Sequence, residues 1–378
     1  MPELDLERQK QAKTYALIKR RLWVVSQIIS LVYALLWLMT GWSVSLRGWL
    51  EGFIPNEWLL IATFAMIFAG TYTLITLPLE YYAGFTLPHR FELSTQTRKG
   101  WIADQLKTLV VSAIFGLLLI ELVYWLLRTH EDTWWLWLTG GMLLLNVLLA
   151  NLSPILIMPI FNKFTPLGEE HADLAERLMR LADNANARVK GVFKMDMSRR
   201  TKQANAFLTG IGNTRRIVLG DTMIEEFSPD EIETVLAHEL GHHVHRDIAW
   251  MIGFGALTTA LGFFLISLAM DWALGAFGLF GVSDPANLPV LMILLSLYGL
   301  VIMPIDNAFS RWREELADNY ALQATGKAQA FASAFTRLAN QNLGEVDPEP
   351  WVVFLFYSHP PLNARIKKAQ TWARSSPG

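Results

Sequence analysis

The sequence predicts a mainly α protein that crosses a membrane about six times and carries an α+β unit between its fourth and fifth spans. Of its 378 residues, 52% are hydrophobic and 17% are charged, whereas globular domains carry about a quarter charged residues. Apolar stretches long enough to cross a bilayer, which takes about 20 residues, recur along the chain. One long polar insertion, residues 161–247, mixes helical and strand-like periodicity.

The six predicted spans have consistent length and boundaries. Tryptophans stand at several of their ends, as is typical of membrane–water interfaces. The alternative is that these stretches are buried helices of a large soluble protein, but such a protein would rarely contain so many apolar stretches of this length. The predicted spans are residues 22–46, 58–79, 106–127, 134–160, 248–273 and 289–310.

Basic residues predict the orientation of these spans. Residues 1–21 carry six Lys or Arg residues and residues 80–107 carry four, whereas the alternate loops hold only Arg47 and Arg128. By the positive-inside rule, we expect both termini and the polar insertion to be cytoplasmic. The short polar N-terminal segment lacks the features of a signal peptide and favours a prokaryotic cytoplasmic membrane. In a eukaryote the expected membrane is the endoplasmic reticulum.

Composition also excludes some classes of function. The formal net charge of −2 argues against a nucleic-acid surface, so no nucleic-acid partner is expected. The chain contains no cysteine, which excludes disulfides, thiolate ligands and a cysteine nucleophile. Any metal must therefore be held by His, Asp or Glu.

The chain divides into four regions by composition. Residues 1–160 hold four spans, 161–247 form the α+β unit, 248–310 hold spans five and six, and 311–378 form a cytoplasmic C-terminal part. Within the α+β unit we expect a helix at 168–187 and strands at 189–195, 206–210 and 216–220. A capping box at Ser228-Pro229-Asp230-Glu231 then begins another helix.

That helix carries the motif His238-Glu239-Leu240-Gly241-His242. Residues four apart share a face of a helix, so the two imidazoles can bind one Zn²⁺, and Glu239 can act as a general base toward water. The alternative is a solvated, His-rich helix surface. Since Ile248 follows six residues later, we expect the helix to run straight into the fifth span and hold the metal at the cytoplasmic interface.

A catalytic zinc site uses three protein ligands and an open position. Ile248 occupies the position where a longer three-histidine motif needs its third histidine, which excludes that arrangement. The better third ligand is Glu314, just beyond the sixth span. Asp318, one turn further along, is placed to accept a hydrogen bond from a ligating imidazole. The alternative for this segment is a solvated, charged helix face.

Motifs in a fixed order carry a resemblance that covers nearly the whole chain. The chain resembles the M48 family of integral-membrane zinc metallopeptidases, in its CaaX prenyl protease 1 (Ste24-type) branch. The resemblance implies a ring of helices around a hydrated chamber, closed on the cytoplasmic side by a gluzincin-type zinc unit. Ste24-type proteases are described with seven spans, and we attribute the count of six here to a missing first helix. The matching segments are residues 77–82, 162–167, 195–198, 205–207, 216–222, 238–242, 314–318 and 357–362, with Arg365.

The resemblance also implies roles for particular residues. One Zn²⁺ would be held by His238, His242 and Glu314, with Glu239 as the catalytic base. His359 is a second catalytic candidate, although it can equally cap the turn before Pro360. Asn205 and Arg365 are candidates for binding a substrate peptide, which would join the strand at 205–208 as an extra strand.

The implied function is a membrane zinc endopeptidase acting at or near C-terminal CaaX-type tails. Its partners would be the lipid bilayer and a peptide or protein substrate, prenylated or membrane-inserted. One alternative is a quality-control protease for membrane proteins, which would use the same chemistry. Another is a transporter or scaffold with a structural zinc, against which stands a general base between two ligands.

Overall fold

The computed structural model of the chain describes residues 2–210 and 212–375 and is mostly helical. The helices are α1 Leu6–Met39, α2 Trp42–Glu51, α3 Glu57–Tyr81, α4 Leu87–Arg90, α5 Arg98–Thr129, α6 Trp134–Leu152, α7 Met158–Phe161, α8 Ala172–Asn184, α9 Asp221–Glu226, α10 Pro229–Val244, α11 Asp247–Phe277, α12 Leu288–Thr325, α13 Ala328–Gln341, α14 Pro350–Phe356 and α15 Leu362–Ser375. The strands are β1 Phe164–Pro166, β2 Val192–Met195, β3 Ala206–Thr209 and β4 Arg216–Gly220.

Six helical segments within the described residues are long and apolar enough to cross a membrane. Large apolar side chains point outward from them, and Leu74, Leu118, Leu257 and Val301 are each about two-thirds exposed. Soluble proteins rarely expose continuous apolar surface, whereas lipid-facing helices require it. The prediction of a six-span helical membrane protein is confirmed, and a chamber enclosed by the spans stays a prediction. The segments are Leu6–Met39, Glu57–Arg90, Arg98–Thr129, Trp134–Phe161, Asp247–Phe277 and Pro285–Thr325.

The helix of the first span ends earlier than predicted. The helix α1 begins at Leu6, in the polar segment before the predicted span, because the Asp5 side chain caps it by accepting hydrogen bonds from the Glu7 and Arg8 amides. It ends at Met39 rather than residue 46. Gly41 then adopts a φ of 70°, a left-handed conformation open to glycine, and starts the separate helix α2.

The insertion between the fourth and fifth spans forms a four-stranded sheet in the order β1-β2-β4-β3. The strand β2 is parallel to β4, and the other two pairs are antiparallel. Strand β4 has its predicted bounds, β2 begins three residues late, and β3 ends one residue early. Strand β1 was not predicted, because three residues are too few to show an alternating pattern. Strands β1 and β3 form the two edges of the sheet.

One hydrophobic core joins this sheet to the helices α8, α10, α13 and α15. Fully buried side chains such as Leu178, Ile217, Leu236 and Phe331 lie at its centre. Each contributes about 1.5–3 kcal/mol by its removal from water. Leu322 of α12 belongs to the same core, so the sixth span extends into the α+β unit as one continuous helix.

The motif helix does not run straight into the fifth span, and that prediction was wrong. The helix α10 ends at Val244, Arg246 turns the chain with a φ of 54°, and α11 begins at Asp247. The turn is held by Arg313, whose Nη2 donates to the His245 carbonyl at 2.8 Å. This turn brings the buried Asp247 carboxylate back toward the motif helix instead of one turn beyond it.

Candidate metal centre and active site

The helix α10 forms where its capping residues predict it. The Ser228 hydroxyl accepts from the Glu231 amide at 3.3 Å, and the Glu231 carboxylate accepts from the Ser228 amide at 2.8 Å. Pro229 occupies the first helical position, where its missing N–H costs nothing. The predicted capping box is confirmed, and it fixes where the helix begins. Within this helix, His238 and His242 are four residues apart and therefore share a face.

The structure brings His238, His242 and Glu314 together as a candidate metal site. One ligand atom from each residue lies within 4.8 Å of the other two. Nε2 of His238 lies 3.2 Å from Oε2 of Glu314, and Nε2 of His242 lies 3.3 Å from Oε1. The two ring planes are inclined at 84°. Three donors from two helices therefore converge on one point.

A close approach of α10 and α12 makes this convergence possible. A Cβ on Gly241 would lie 2.8 Å from the Cα and 3.0 Å from the carbonyl oxygen of Ala317. Only glycine fits at this crossing, because backbone atoms cannot give way as flexible side chains can. Gly241 lies between the two histidines, and Ala317 follows Glu314 by three residues, so the crossing sets the distance between the ligands.

His238 is fixed from behind by a buried carboxylate. Its Nδ1 lies 2.9 Å from Oδ1 of Asp318, which was predicted to hold an imidazole in this way. Arg365 in turn donates from Nε to Asp318 at 2.9 Å, and its guanidinium stacks on the Phe335 ring. Burial and Arg365 oppose a charged His238, but the nearby Asp318 and Glu314 carboxylates raise the pKa of His238 to about 9. The surroundings of the His238 ring therefore favour a positive charge at this position.

His242 is fixed by a second carboxylate that the sequence reasoning missed. Its Nδ1 lies 2.7 Å from Oδ2 of Asp247, and Arg313 donates from Nε to Oδ1 of the same carboxylate at 2.7 Å. Asp247 and Arg313 are both 5% exposed. The signal was present in the sequence, since Asp247 is the only acid within five residues after His242, but a continuous helix would have pointed it elsewhere.

A cavity of about 740 Å³ opens beside the candidate metal site, and His238 is part of its wall. Glu239 and Asn205 line it, Glu239 partly and Asn205 largely exposed. His359 also lines it, with Nε2 3.3 Å from Oε1 of Glu314 and Nδ1 2.9 Å from the Ser358 hydroxyl. Arg365 reaches the cavity wall, although it is only 5% exposed and its guanidinium is turned to Asp318.

Two family models together match most of the chain. Residues 169–373 match peptidase family M48, and residues 1–163 match the model described as "CAAX prenyl protease N-terminal, five membrane helices". The metalloprotease YhfN of Bacillus subtilis, described as uncharacterized, is 31% identical over 95% of this chain and 84% of its own length. The CAAX prenyl protease 1 of Saccharomyces cerevisiae is 29% identical over 96% of this chain and 86% of its own length.

The fold is shared with a solved structure of the same kind. The crystal structure of S. mikatae Ste24p superposes with a TM-score of 0.84 at 27% identity, covering 97% of this chain and 90% of that one. The chain belongs to peptidase family M48. It is a membrane metalloprotease similar to CaaX prenyl protease 1, as the sequence motifs predict, and it acts on a peptide substrate.

The donor set of this M48 protease fits a metal ion. Oε2 of Glu314 is buried and has no hydrogen-bond partner among the described residues, although such a carboxylate oxygen usually has one. Both imidazoles turn Nε2 toward the Glu314 carboxylate and have Nδ1 held by another carboxylate, which is the arrangement that fixes metal-ligating histidines. Two nitrogens and one carboxylate oxygen are the ligands of a catalytic zinc site.

Proposed function

We propose that this M48 protease is a zinc endopeptidase that cuts peptides at or near C-terminal CaaX-type tails. The observation that carries the proposal is the convergence of His238, His242 and Glu314, together with the cavity that His238 and Glu239 line. A structural zinc site would be closed by a fourth protein ligand, whereas this site faces a cavity large enough for a peptide segment.

One zinc ion would be held by His238, His242 and Glu314. When bound, it supplies a Lewis acid that polarises a peptide carbonyl and lowers the pKa of water to about 7. Glu239 follows His238 directly and has a partly exposed carboxylate in the cavity. It takes the proton from the attacking water and passes it to the leaving amine, which is the work of a general base and then a general acid.

The edge strand β3 offers a place for the substrate backbone. Edge strands present unpaired N–H and C=O groups, and peptides bind proteins by adding a strand to such an edge. Asn205 stands just before β3 and lines the cavity, where it would hold the substrate backbone. This position supports its predicted role in substrate binding.

His359 and Arg365 take different roles. His359 is exposed in the cavity and close to Glu314, and this position supports a role in donating a hydrogen bond to the oxyanion that develops at the scissile carbonyl. Arg365 was predicted to bind substrate, but its buried pairing with Asp318 supports a positioning role behind His238 instead.

The basic residues at 1–21 and 80–107 support cytoplasmic termini and a cytoplasmic catalytic unit at 161–247. The region 311–378 then supplies Glu314 and His359 from the same side. The similarity to a Bacillus subtilis metalloprotease supports a prokaryotic cytoplasmic membrane. The similarity to proteins named CAAX prenyl protease 1 supports prenylated C-terminal tails as substrates.

The test compares wild type and Glu239→Gln on a farnesylated C-terminal peptide and on its unlipidated twin. We expect Glu239→Gln to bind zinc with wild-type stoichiometry and to lose hydrolysis by more than about 10²-fold, because the general base is gone. Glu315→Gln is the matched control, since Glu315 lies beside Glu314 with an exposed side chain. Wild-type turnover by Glu239→Gln would contradict the role of this residue.

The peptide pair tests the substrate class separately. Preference for the farnesylated peptide supports a prenyl-dependent protease. Equal cleavage of both peptides would remove the requirement for prenylation and leave the zinc chemistry intact. Zinc binding at one ion per chain, with no cleavage of any peptide, would favour a scaffold.

A further inference from the structure

One face of the first span lines the catalytic cavity. Tyr15, Ala16, Lys19, Arg20 and Trp23 of α1 all contribute to its wall. Their spacing of one, four, five and eight residues places them on a single helical face. The same cavity contains Glu239 and His359, so this face of α1 borders the space where a substrate would be cut.

The two basic residues of this face differ in their partners. Arg20 donates from Nη1 to Oε2 of Glu345 at 3.0 Å, and the Tyr357 hydroxyl donates to the same carboxylate at 3.3 Å. The Glu345 side chain is only 8% exposed. Arg20 and Glu345 therefore neutralise each other and leave no net charge on that part of the wall.

Lys19 has no such carboxylate. Its Nζ lies 5.6 Å from the centroid of the Tyr15 ring and forms no ion pair within the part of the chain that the structure describes. The side chain is exposed and lines the cavity. Lys19 is thus an uncompensated positive charge in the wall of the cavity that His238 also lines.

Apolar and aromatic residues share the cavity wall with Lys19. Trp23 packs edge-on against Phe356 with ring centroids 5.2 Å apart, and Leu343 lies in the same wall. A volume of about 740 Å³ falls within the range of about 300–1,000 Å³ that holds a ligand of short-peptide size. An anion flanked by apolar groups is the complement of this surface.

We propose that Lys19 binds the free C-terminal carboxylate of the peptide substrate, with apolar residues before it against the wall of Trp23 and Leu343. The proposal rests on the proposed peptidase function and adds a residue that determines specificity. The terminal carboxylate is an anion that every peptide with a free C-terminus carries, whatever its side chains. Lys19 would therefore set the distance from the substrate's end at which the chain is cut.

The experiment uses the full-length protein in nanodiscs of neutral phosphatidylcholine. One cleavable peptide is compared as its free acid, as its C-terminal amide, and as an amide with an aspartate near its end. We expect wild type to cleave the free acid with a kcat/KM about tenfold above that of the plain amide, mainly through a lower KM. A partly exposed, charge-assisted hydrogen bond between Lys19 and the carboxylate contributes binding free energy of about this size. The aspartate-bearing amide should be cut like the plain amide.

The matched variants are Lys19→Gln, Lys19→Arg and Lys13→Gln. We expect Lys19→Gln to bring the acid-to-amide ratio close to one and Lys19→Arg to keep most of it. Lys13 is exposed on α1 outside the cavity wall, so Lys13→Gln should keep the wild-type ratio.

Four outcomes would overturn the proposal. They are a wild-type ratio of one, a ratio that survives Lys19→Gln, equal loss in Lys13→Gln, and preference for the aspartate-bearing amide equal to that for the acid. The last would indicate a general anion site. If wild type cleaved no peptide at all, the peptidase function itself would fail, and this specificity would fall with it.

Discussion

The two motif histidines are held by the same kind of contact in two different regions of the molecule. His238 is held by Asp318 and Arg365, which come from α12 and α15 and lie at the core of the α+β unit. His242 is held by Asp247, which opens the fifth span, and by Arg313 of α12. One histidine is thus anchored in the catalytic unit and the other at its junction with the membrane helices.

The two anchors differ in exposure. The side chain of His238 is 8% exposed and that of Asp318 1%, whereas the His242 side chain is 27% exposed. Water can replace a lost acceptor at His242 more readily than at His238. Glu314 lies between the two on α12, which spans the membrane and enters the catalytic unit. The candidate metal centre therefore links the two regions. We expect loss of the two anchors to differ in its effect on zinc affinity and on the unfolding midpoint.

The largest effect is expected from Asp318→Ala. The substitution leaves the guanidinium of Arg365 buried at 5% exposure without its main carboxylate partner. Breaking a buried ion pair in this way costs about 3–5 kcal/mol of folding free energy. We expect a lower unfolding midpoint in detergent together with loss of bound zinc.

Asp318→Asn is the matched variant, since it keeps an oxygen that can accept from His238 but removes the charge. Its midpoint should fall between those of wild type and Asp318→Ala. Glu7→Gln, at an ion pair that is mostly exposed on both sides, should leave the midpoint unchanged. A wild-type midpoint for Asp318→Ala would show that Arg365 does not depend on this carboxylate.

A smaller effect, shared by both histidines, is expected from Gly241→Ala. The added Cβ meets the Ala317 backbone at 2.8 Å, so α10 must move away from α12. Overpacking of this kind costs about 1–3 kcal/mol, and the shift separates His238 and His242 from Glu314 together. Zinc titration with a competing chelator and the unfolding midpoint should both respond. Gly255→Ala is the control, because nothing lies within 4 Å of a Cβ there. Wild-type zinc affinity in Gly241→Ala would show that the helix crossing does not set the geometry of the metal site.

The sequence predicted the parts of this molecule that depend on local pattern. Six long apolar stretches, the capping box at Ser228–Glu231 and the short apolar strand at Arg216–Gly220 each arise from consecutive residues. The proximity of Glu314 to the motif histidines was predicted from the topology, which brings both segments to the same membrane face, and from the resemblance to the M48 family. The structure bears out that proximity.

The parts that were missed depend on contacts between distant residues. The left-handed turn at Arg246 has no glycine to signal it, and it is held by Arg313, 67 residues further along the chain. Without that turn, Asp247 looked like the first residue of an uninterrupted helix rather than a partner of His242. Arg365 likewise reads as a surface cation until its pairing with Asp318, 47 residues earlier, is known.

The smallest effect, and the sharpest test of the comparison, is expected from Asp247→Asn. The amide can still accept a hydrogen bond from His242 through its oxygen, but it no longer balances Arg313. Loss of such a carboxylate behind a ligating histidine lowers metal affinity by about 10–100-fold, and the greater exposure of His242 favours the lower end. We therefore expect zinc affinity to fall about tenfold with a smaller shift of the unfolding midpoint than in Asp318→Ala. Asp271→Asn, on the same helix but about 36 Å away along its axis, is the control. If Asp247→Asn were as damaging as Asp318→Ala, the membrane-side anchor would be as indispensable as the buried one, and the difference in exposure between the two histidines would carry no functional weight.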